Sequence, residues 1–541
     1  MLSKLKKFWG GETSGLTAAA FIVGAASLAS RLFGVLRDRA LASTFGAGPQ
    51  LDAYFAAFRV PDFLYNLIIL GALSAGFIPI FSEYLERRGE EEAWKLASQV
   101  ISVVCAVMAT VCLVFALLSP VIVPFTVPGF TGERLELTVR LSRIMFLSPF
   151  FLGLSGVMGG ILQAKRRFVA FALAPVFYNI CIIAGVYLFA PQMGVEGVAW
   201  GVVLGAFVHC AVQTIVVLRL GLKRIPWPSF QHEGVRRILK LMLPRTAGLA
   251  VSQLNLVVLL VFASALTAGS VSVLELADNL QSFPVGIIGI SYAVAAFPLL
   301  TKFASLRDKP NFTASLDAAA RKIMFFILPF TALFLLLRLQ IVRLALGAGV
   351  FDWDDTLRTA MVLGIFVIAL LGQSLVALLA RAFYATQNTW TPLWISVIGE
   401  VANASIAYSL RDRFGINGLA VAFTVSSYIN CLLLFVYLQK SWGPFKVKGF
   451  FISAARTGAA SAGLIAMGYP VRQLLGTVVP LTGFVTVALQ SVFTTLAGVV
   501  GFLVVAWVLK SPELAEFTNA LRKKLLSKKL LIEGAEEAQG L

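Results

Sequence analysis

Charge is scarce in this chain. Asp, Glu, Lys and Arg make up 13% of 541 residues, hydrophobic residues make up 58%, and the mean hydropathy is +0.86. A soluble protein of that composition would lack the polar surface it needs, so the sequence reads as an all-α polytopic membrane protein. Histidine is nearly absent: His209 and His232 are the only two, and neither sits in a catalytic pattern. Gly-x-Ser-x-Gly, His-Glu-x-x-His and a Gly-x-x-x-x-Gly-Lys-[Ser/Thr] phosphate loop are all missing. A membrane transferase or lipid phosphatase usually needs a His or paired carboxylates beside an aqueous loop. The candidates Asp352, Asp354 and Asp355 crowd one short turn without a basic partner cluster, and read as solvated. No enzyme and no cofactor is expected. The five cysteines (105, 112, 181, 210 and 431) lie inside apolar runs without ligand spacing, so no metal site is expected and they read as small core residues. The basic start, residues 1–15, leads into a helix too long and too charged for a cleaved signal peptide.

Long apolar runs are what the chain has in abundance. At about 20 residues per crossing, they predict fourteen transmembrane helices: about 16–42, 50–82, 93–119, 135–163, 168–190, 194–219, 240–267, 270–303, 317–346, 356–385, 391–411, 416–438, 450–470 and 482–509. The second and eighth are long enough to bend, and contain Pro61 and Pro284. With the N-terminus placed inside, 31 Lys and Arg fall in inside segments, 8 in outside segments and 6 within spans. That asymmetry predicts both termini in the cytoplasm. It also accounts for most of the net charge of +18 as ordinary topology rather than nucleic-acid binding.

An internal repeat is visible. Gly194-Val-Glu-Gly197-Val-Ala resembles Gly415-Ile-Asn-Gly418-Leu-Ala at an offset of 221, which also takes Gly48 to Gly269 and Ala164 to Ala385. Pro61 reaches Pro284 with two residues of slippage. Six spans per copy is an even number, so the copies share one topology, related by an axis along the membrane normal. The expected architecture is two pseudo-symmetric six-helix lobes, 1–221 and 245–440, facing across a central cavity. Residues 222–244 read as a cytoplasmic interfacial linker, with Trp227, Phe230, Ile238 and Leu241 alternating with Arg236, Arg237 and Lys240. Two extra helices occupy 441–510, and 511–541 is a basic amphipathic tail expected to touch anionic lipid headgroups.

The first two spans carry charge where it is costly. Gly24, Ser27, Arg31, Gly34 and Asp38 fall on one narrow helix face at roughly 100° per residue. Asp52, Arg59, Asn66 and Ser74 form a similar face on the second span. Such charge persists where it faces water or a partner, and guanidinium forks suit phosphate oxygens. The reading is a cationic cavity for an anionic ligand, built from Arg31, Arg37 and Arg59, with Asp38 and Asp52 holding the arginines in place. Snorkelling to water is the alternative for the Arg37-Asp38-Arg39 cluster, and the preferred reading of Arg39. In the second copy, Glu275, Asn279, Ser282, Gly286 and Gly289 form a polar stripe, which serves either a ligand or close helix packing. Asn403 and Thr424 read as interhelical hydrogen-bonding residues.

Several motifs taken together resemble a known family. They are Ser30-Arg31-x-x-Gly34-x-x-Arg37-Asp38, Phe45-Gly-Ala-Gly48, Asp52-Ala, Phe58-Arg59-Val-Pro61, Gly71-Ala-Leu-Ser74-Ala-Gly-Phe77-Ile-Pro79, Pro128-Gly-Phe130, Gly269-Ser-Val-Ser272, Phe283-Pro284-x-Gly286 and Phe383 to Pro392. With them the chain resembles the MurJ/MviN family of lipid II flippases, within the multidrug/oligosaccharidyl-lipid/polysaccharide exporter superfamily. The resemblance implies a bacterial inner-membrane protein that moves the lipid II headgroup from the cytoplasmic to the outer leaflet by alternating access. It places Arg31, Arg37 and Asp52 on functional positions and makes the two last helices a lipid-tail groove. With the residue reading above, substrate contacts are expected from Arg31, Arg37, Arg59, Asp52, Asn279 and Ser282. Gating or bending is expected at Asp38, Gly34, Pro61, Ser74, Gly71, Gly286 and Gly289. Partners would be lipid II or a related polyprenyl-diphosphate glycan, membrane lipids and cell-wall synthesis machinery, with the protein a monomer. The sequence departs from well-known members at Tyr65, Leu70, Asn279 and Ser282, and the nearest positions to acidic sodium ligands are Leu259 and Ala407. Another lipid-linked oligosaccharide, a cationic drug, or a non-transporting wall-assembly scaffold stand as alternatives. An acidic cavity, expected for drug export, is not what these residues make.

Overall fold

The computed structural model describes residues 16–67, 76–222, 225–443, 447–478, 483–519 and 522. Ser74, Gly71, Leu70 and the tail beyond 522 lie outside them. Helices run from α1 (Leu16–Phe45), α2 (Pro49–Tyr65), α3 (Ile78–Arg87) and α4 (Glu90–Thr126) to α5 (Gly132–Ala164), α6 (Phe168–Met193) and α7 (Val195–Leu220). They continue as α8 (Glu233–Ser264), α9 (Ser270–Ser305), α10 (Lys309–Ala345), α11 (Trp353–Ala385), α12 (Trp390–Trp442), α13 (Val447–Val478) and α14 (Phe484–Val508). No strand occurs among the described residues. Ten helices among them are long and apolar enough to cross a membrane. That measure stops short of the fourteen expected spans. The charged helices α1, α2 and α8 are not among the ten, and α12 counts once although it covers two expected spans.

The repeat is written into the backbone. Within α12, Gly415 leaves the helical region at φ 54°, ψ −134°, and Gly194, 221 residues earlier, has φ 58°, ψ −145°. Arg166 and Gln387, at the same offset, both have positive φ (56° and 60°). A Cβ on Gly197 would lie 2.5 Å from the Phe189 carbonyl carbon, and one on Gly418 2.7 Å from the Leu410 carbonyl oxygen. Glycine is therefore required twice, at equivalent places, for two backbones to touch.

The chain divides into two compact units. The first is Met1–Leu276 with Ala345–Thr359 and Ala404–Leu419; the second is Ala277–Leu344, Ala360–Asn403 and Ala420–Leu541. In the first, a core of Phe77, Phe81, Tyr84, Leu96, Ile161 and Val217 also takes in Val235 and Ile238 from the start of α8. Part of the segment 222–244, expected to be an interfacial amphipathic linker, thus packs on protein. Trp227 is 91% exposed, but Ile238 is 5% exposed and packs on protein. Polar side chains fix the segment further: Gln99 donates to the Trp227 carbonyl (3.0 Å) and Ser102 to that of Pro226 (2.5 Å). In the second unit, α13 and α14 pack so closely that a Cβ on Gly501 would lie 2.4 Å from the Gly463 carbonyl oxygen. The first turns past α14 belong to the same core. Leu514 is buried there, Phe517 stacks edge-on against Phe326, and Glu516 pairs with Lys322 at 3.1 Å.

Candidate functional site

Much of the polar stripe of α1 is exposed. A Cβ on Gly24 or Gly34 would meet nothing within 4 Å, and Ser27 and Arg31 are exposed. Gly34 is expected to permit bending and close helix contact; among the described residues of other helices none lies within 4 Å of its Cβ position. Leu28, Leu32 and Leu36 form a separate exposed apolar stripe about one residue's rotation away. At the far end of the polar stripe Asp38 is buried and accepts from Arg37 Nε (3.0 Å) and Nη2 (2.8 Å). Arg37 also donates to Asn179 Oδ1 on α6 (3.3 Å), and Asn179 in turn donates to the Ser30 carbonyl (3.4 Å). Asp38 therefore holds Arg37, as the sequence suggested, with α6 as a brace.

Asp52 does something else. α1 ends where Gly46 takes φ 61°, and α2 opens with Pro49 in its first position, the usual stop and start signals. That geometry sets Asp52 in the first turn of α2, where it is fully buried. Its Oδ2 accepts from the backbone N–H of Gly269 (2.6 Å), and its Oδ1 from the N–H (2.7 Å) and hydroxyl (2.6 Å) of Ser272. Arg134 of α5 pairs with the same carboxylate and lies over the Phe130 ring. One side chain from the first repeat thus caps the N-terminus of α9 in the second, meeting donors that no helix can satisfy by itself. The expectation that Asp52 orients Arg31 and Arg37 is corrected. Its partners are Arg134, Gly269 and Ser272, because the first turn of α2 lies against the start of α9.

Two turns further along α2, Arg59 pairs with Glu275 of α9. Pro61 lies inside α2 without ending it, and Asp62 accepts from Asn66 (2.9 Å). Around the Asp52 clasp the loops are locked. Val350 N donates to the Ser43 carbonyl (2.9 Å), and Ala47 N to Asp355 Oδ2 (2.9 Å). Arg358 reaches the Ala268 carbonyl (3.3 Å) and Arg39 that of Gly347 (3.5 Å). A Cβ on Gly269 (φ 87°) would lie 2.1 Å from the Ala47 carbonyl oxygen. Asp352 and Asp354 are exposed, as a solvated turn requires, but Asp355 is not free in it. The sequence offered no signal for that contact, since residues 47 and 355 meet only through the fold.

In the second unit, Asn279 and Ser282 of α9 are exposed on one face, while Gln281 between them is buried and bonds Gln373 (3.1 Å). After Pro284 the helix widens into a π turn, Val285–Ile290, that contains Gly286 and Gly289. A Cβ on Gly289 would lie 2.5 Å from Ser374 Oγ, so this glycine permits the approach of α11. Thr424 donates to the Ile365 carbonyl (3.1 Å), an interhelical bond as expected.

The family model described as lipid II flippase MurJ matches residues 41–486. The chain belongs to this MurJ family. A probable lipid II flippase MurJ of Rhizobium meliloti is 32% identical over 439 residues, covering 78% of this chain and 80% of that one. The lipid II flippase MurJ of Burkholderia cenocepacia is 30% identical over 438 residues, covering 79% and 84%. Among solved structures, a lipid II flippase MurJ in an inward closed conformation superposes with a TM-score of 0.73 at 25% identity, covering 88% of this chain and 98% of that one. A MATE-family multidrug transporter of the MOP superfamily, facing inward, gives 0.65 at 16% identity over 78% and 98%, a likeness of fold alone. This chain is a multi-pass membrane protein.

Proposed function

We propose that this protein is a lipid II flippase that carries the undecaprenyl-diphosphate-linked peptidoglycan precursor from the cytoplasmic to the outer leaflet of the bacterial inner membrane. Both termini lie in the cytoplasm. The observation that carries the reading is the Asp52 clasp beside an exposed arginine: one end of the first unit is sealed across the two repeats, while the α1 face that holds Arg31 is exposed. The basic-residue asymmetry makes the sealed rim the outer one, so the cavity faces the side on which lipid II is made. Arg31 and Arg37 bind the diphosphate, with Arg59 assisting once Glu275 yields it. Asn279 and Ser282 supply neutral contacts to the sugar or peptide. Asp52 is the outer gate. It is stable while its carboxylate is shared among four donors, and it opens only when α9 withdraws both amides together. Asp38 and Asn179 keep Arg37 aimed, and Gly289, Gly286 and the π turn after Pro284 allow α9 to bend. The lobes are 1–221 and 245–440, with α13 and α14 forming the lipid-tail groove.

Complementation tests this. In a bacterium depleted of its own lipid II flippase, the parent chain restores growth and Arg31→Ala at equal membrane level does not. Rescue indifferent to Arg31 and Arg37 overturns the arginine cavity. Absence of rescue by a well-inserted parent points to another polyprenyl-linked glycan as cargo.

A further inference from the structure

Asp52 and Asp355 occupy matching circumstances in opposite repeats. Asp52 sits in the first turn of α2 and caps the opening of α9. Asp355 sits in the first turn of α11, and its Oδ2 takes the N–H of Ala47, two residues before α2 begins. Asp355 is itself fixed, because its own N–H donates to Asp352 Oδ1 at 2.9 Å and the turn before it is pinned by Val350 N to Ser43. The space allows little slack: a Cβ on Gly46 would lie 3.3 Å from Asp355 Oδ2, and one on Gly349 2.2 Å from the Ser43 carbonyl oxygen. Residues 46–48 are therefore held by the Asp355 carboxylate and lead directly into the turn of α2 that carries Asp52 to α9.

We propose that Asp355 is a positioning residue of the rim clasp: by fixing Ala47 it aims Asp52 at Gly269 and Ser272, so the two carboxylates act in series as one latch. A series arrangement has a definite signature. Removing either carboxylate frees the same joint, and removing both frees it no further. Two independent latches would instead each lower the barrier, and their effects would multiply. Asp355 acts as a hydrogen-bond acceptor on a backbone amide, so its charge is not what the joint needs. Asparagine keeps an acceptor oxygen in place, and leucine of similar size does not.

The test rests on the gate reading only for its meaning in transport, because it reads the clasp without cargo. In the full chain with its five cysteines replaced, Val271→Cys places a thiol in the clasp, where the native side chain is 2% exposed. The labelling rate of that thiol by a small maleimide reports opening of the rim. Asp355→Leu is expected to raise it about tenfold, the scale of one backbone amide left without its acceptor, and Asp355→Asn to stay within about twofold of the parent. Asp52→Ala raises the rate at least as much as Asp355→Leu, and the double variant labels like Asp52→Ala alone. Asp355→Ala takes the place of the leucine variant if that one reaches the membrane poorly. Parent-like labelling of a well-inserted leucine or alanine variant overturns the proposal, as does a double variant whose rate is the product of the singles. A failed complementation by the parent chain would leave this result standing and would bear only on the cargo.

Discussion

At the scale of single residues, Asp52 carries the most. Its carboxylate is fully buried and has four protein donors, including the Arg134 guanidinium. Asp52→Ala strands a half-buried guanidinium and two amides at once. Breaking a buried pair in this way costs about 3–5 kcal/mol, and the expected result is a clear fall in the thermal unfolding midpoint of the detergent-solubilised protein. Asp52→Asn keeps two acceptor lone pairs and loses the charge, so its midpoint should fall between the two. An alanine variant as stable as the parent would show that the clasp is not closed in solution. Arg59 and Glu275 illustrate a different economy. Each is charged, each is mostly covered, and each is tolerable because the other is there.

At the scale of elements, glycine decides which helices touch. α6 and α7 meet where Gly185 and Gly201 face each other, a Cβ on the first lying 2.7 Å from the Cα of the second. Gly197→Leu would drive a side chain into the Phe189 backbone and should destabilise by about 1–3 kcal/mol, read as a lower unfolding midpoint. Gly418→Leu should do the same against Leu410. Gly34→Ala, whose Cβ meets no described residue within 4 Å, should not lower the midpoint and should raise it slightly through helix propensity. The start of α8 is held differently, by ion pairs: Glu83 with Arg237 (2.9 Å) and Glu233 with Arg88 (3.0 Å). Hydrogen bonds from these arginines hold both carboxyls below the usual carboxylate range. A depressed carboxyl stabilises above its ordinary pKa and loses that contribution as pH falls through its lowered value. Docking of residues 225–242 should therefore be constant at neutral pH and loosen only as pH falls below the usual glutamate range. Limited acid proteolysis of this segment checks it. Glu83→Gln with Glu233→Gln should make cleavage independent of pH over that range.

At the scale of the whole molecule, the question is which surface meets water. The two exposed stripes of α1 give it a sharp form. Ser27→Cys, on the polar stripe, should react in intact membranes with a charged thiol reagent supplied from the cytoplasmic side. Leu28→Cys, on the apolar stripe, should not, since lipid excludes the reagent. Equal reactivity at both positions would remove the aqueous cavity. The sequence by itself determined that the chain is helical, membrane-spanning and duplicated. Hydropathy follows from composition, and the repeat follows from glycines at a fixed offset, whose positive φ at Gly194 and Gly415 the backbone then required. It also picked out Arg31, Arg37, Asp38 and Asp52 as charges too costly to be accidental, since that cost depends on the residue and its depth alone. It predicts that Asp38 and Asp52 hold the arginines, and the structure pairs Asp38 with Arg37. Only the tertiary structure decided that Asp52 serves α9 rather than the arginines, that Arg59 meets Glu275, that Asp355 grips Ala47, and that Ile238 is core rather than interface. Each of these depends on which backbone lies opposite which side chain, across hundreds of residues. A hydrogen bond is set by fractions of an ångström, and helical periodicity fixes only the direction in which a side chain leaves its own helix.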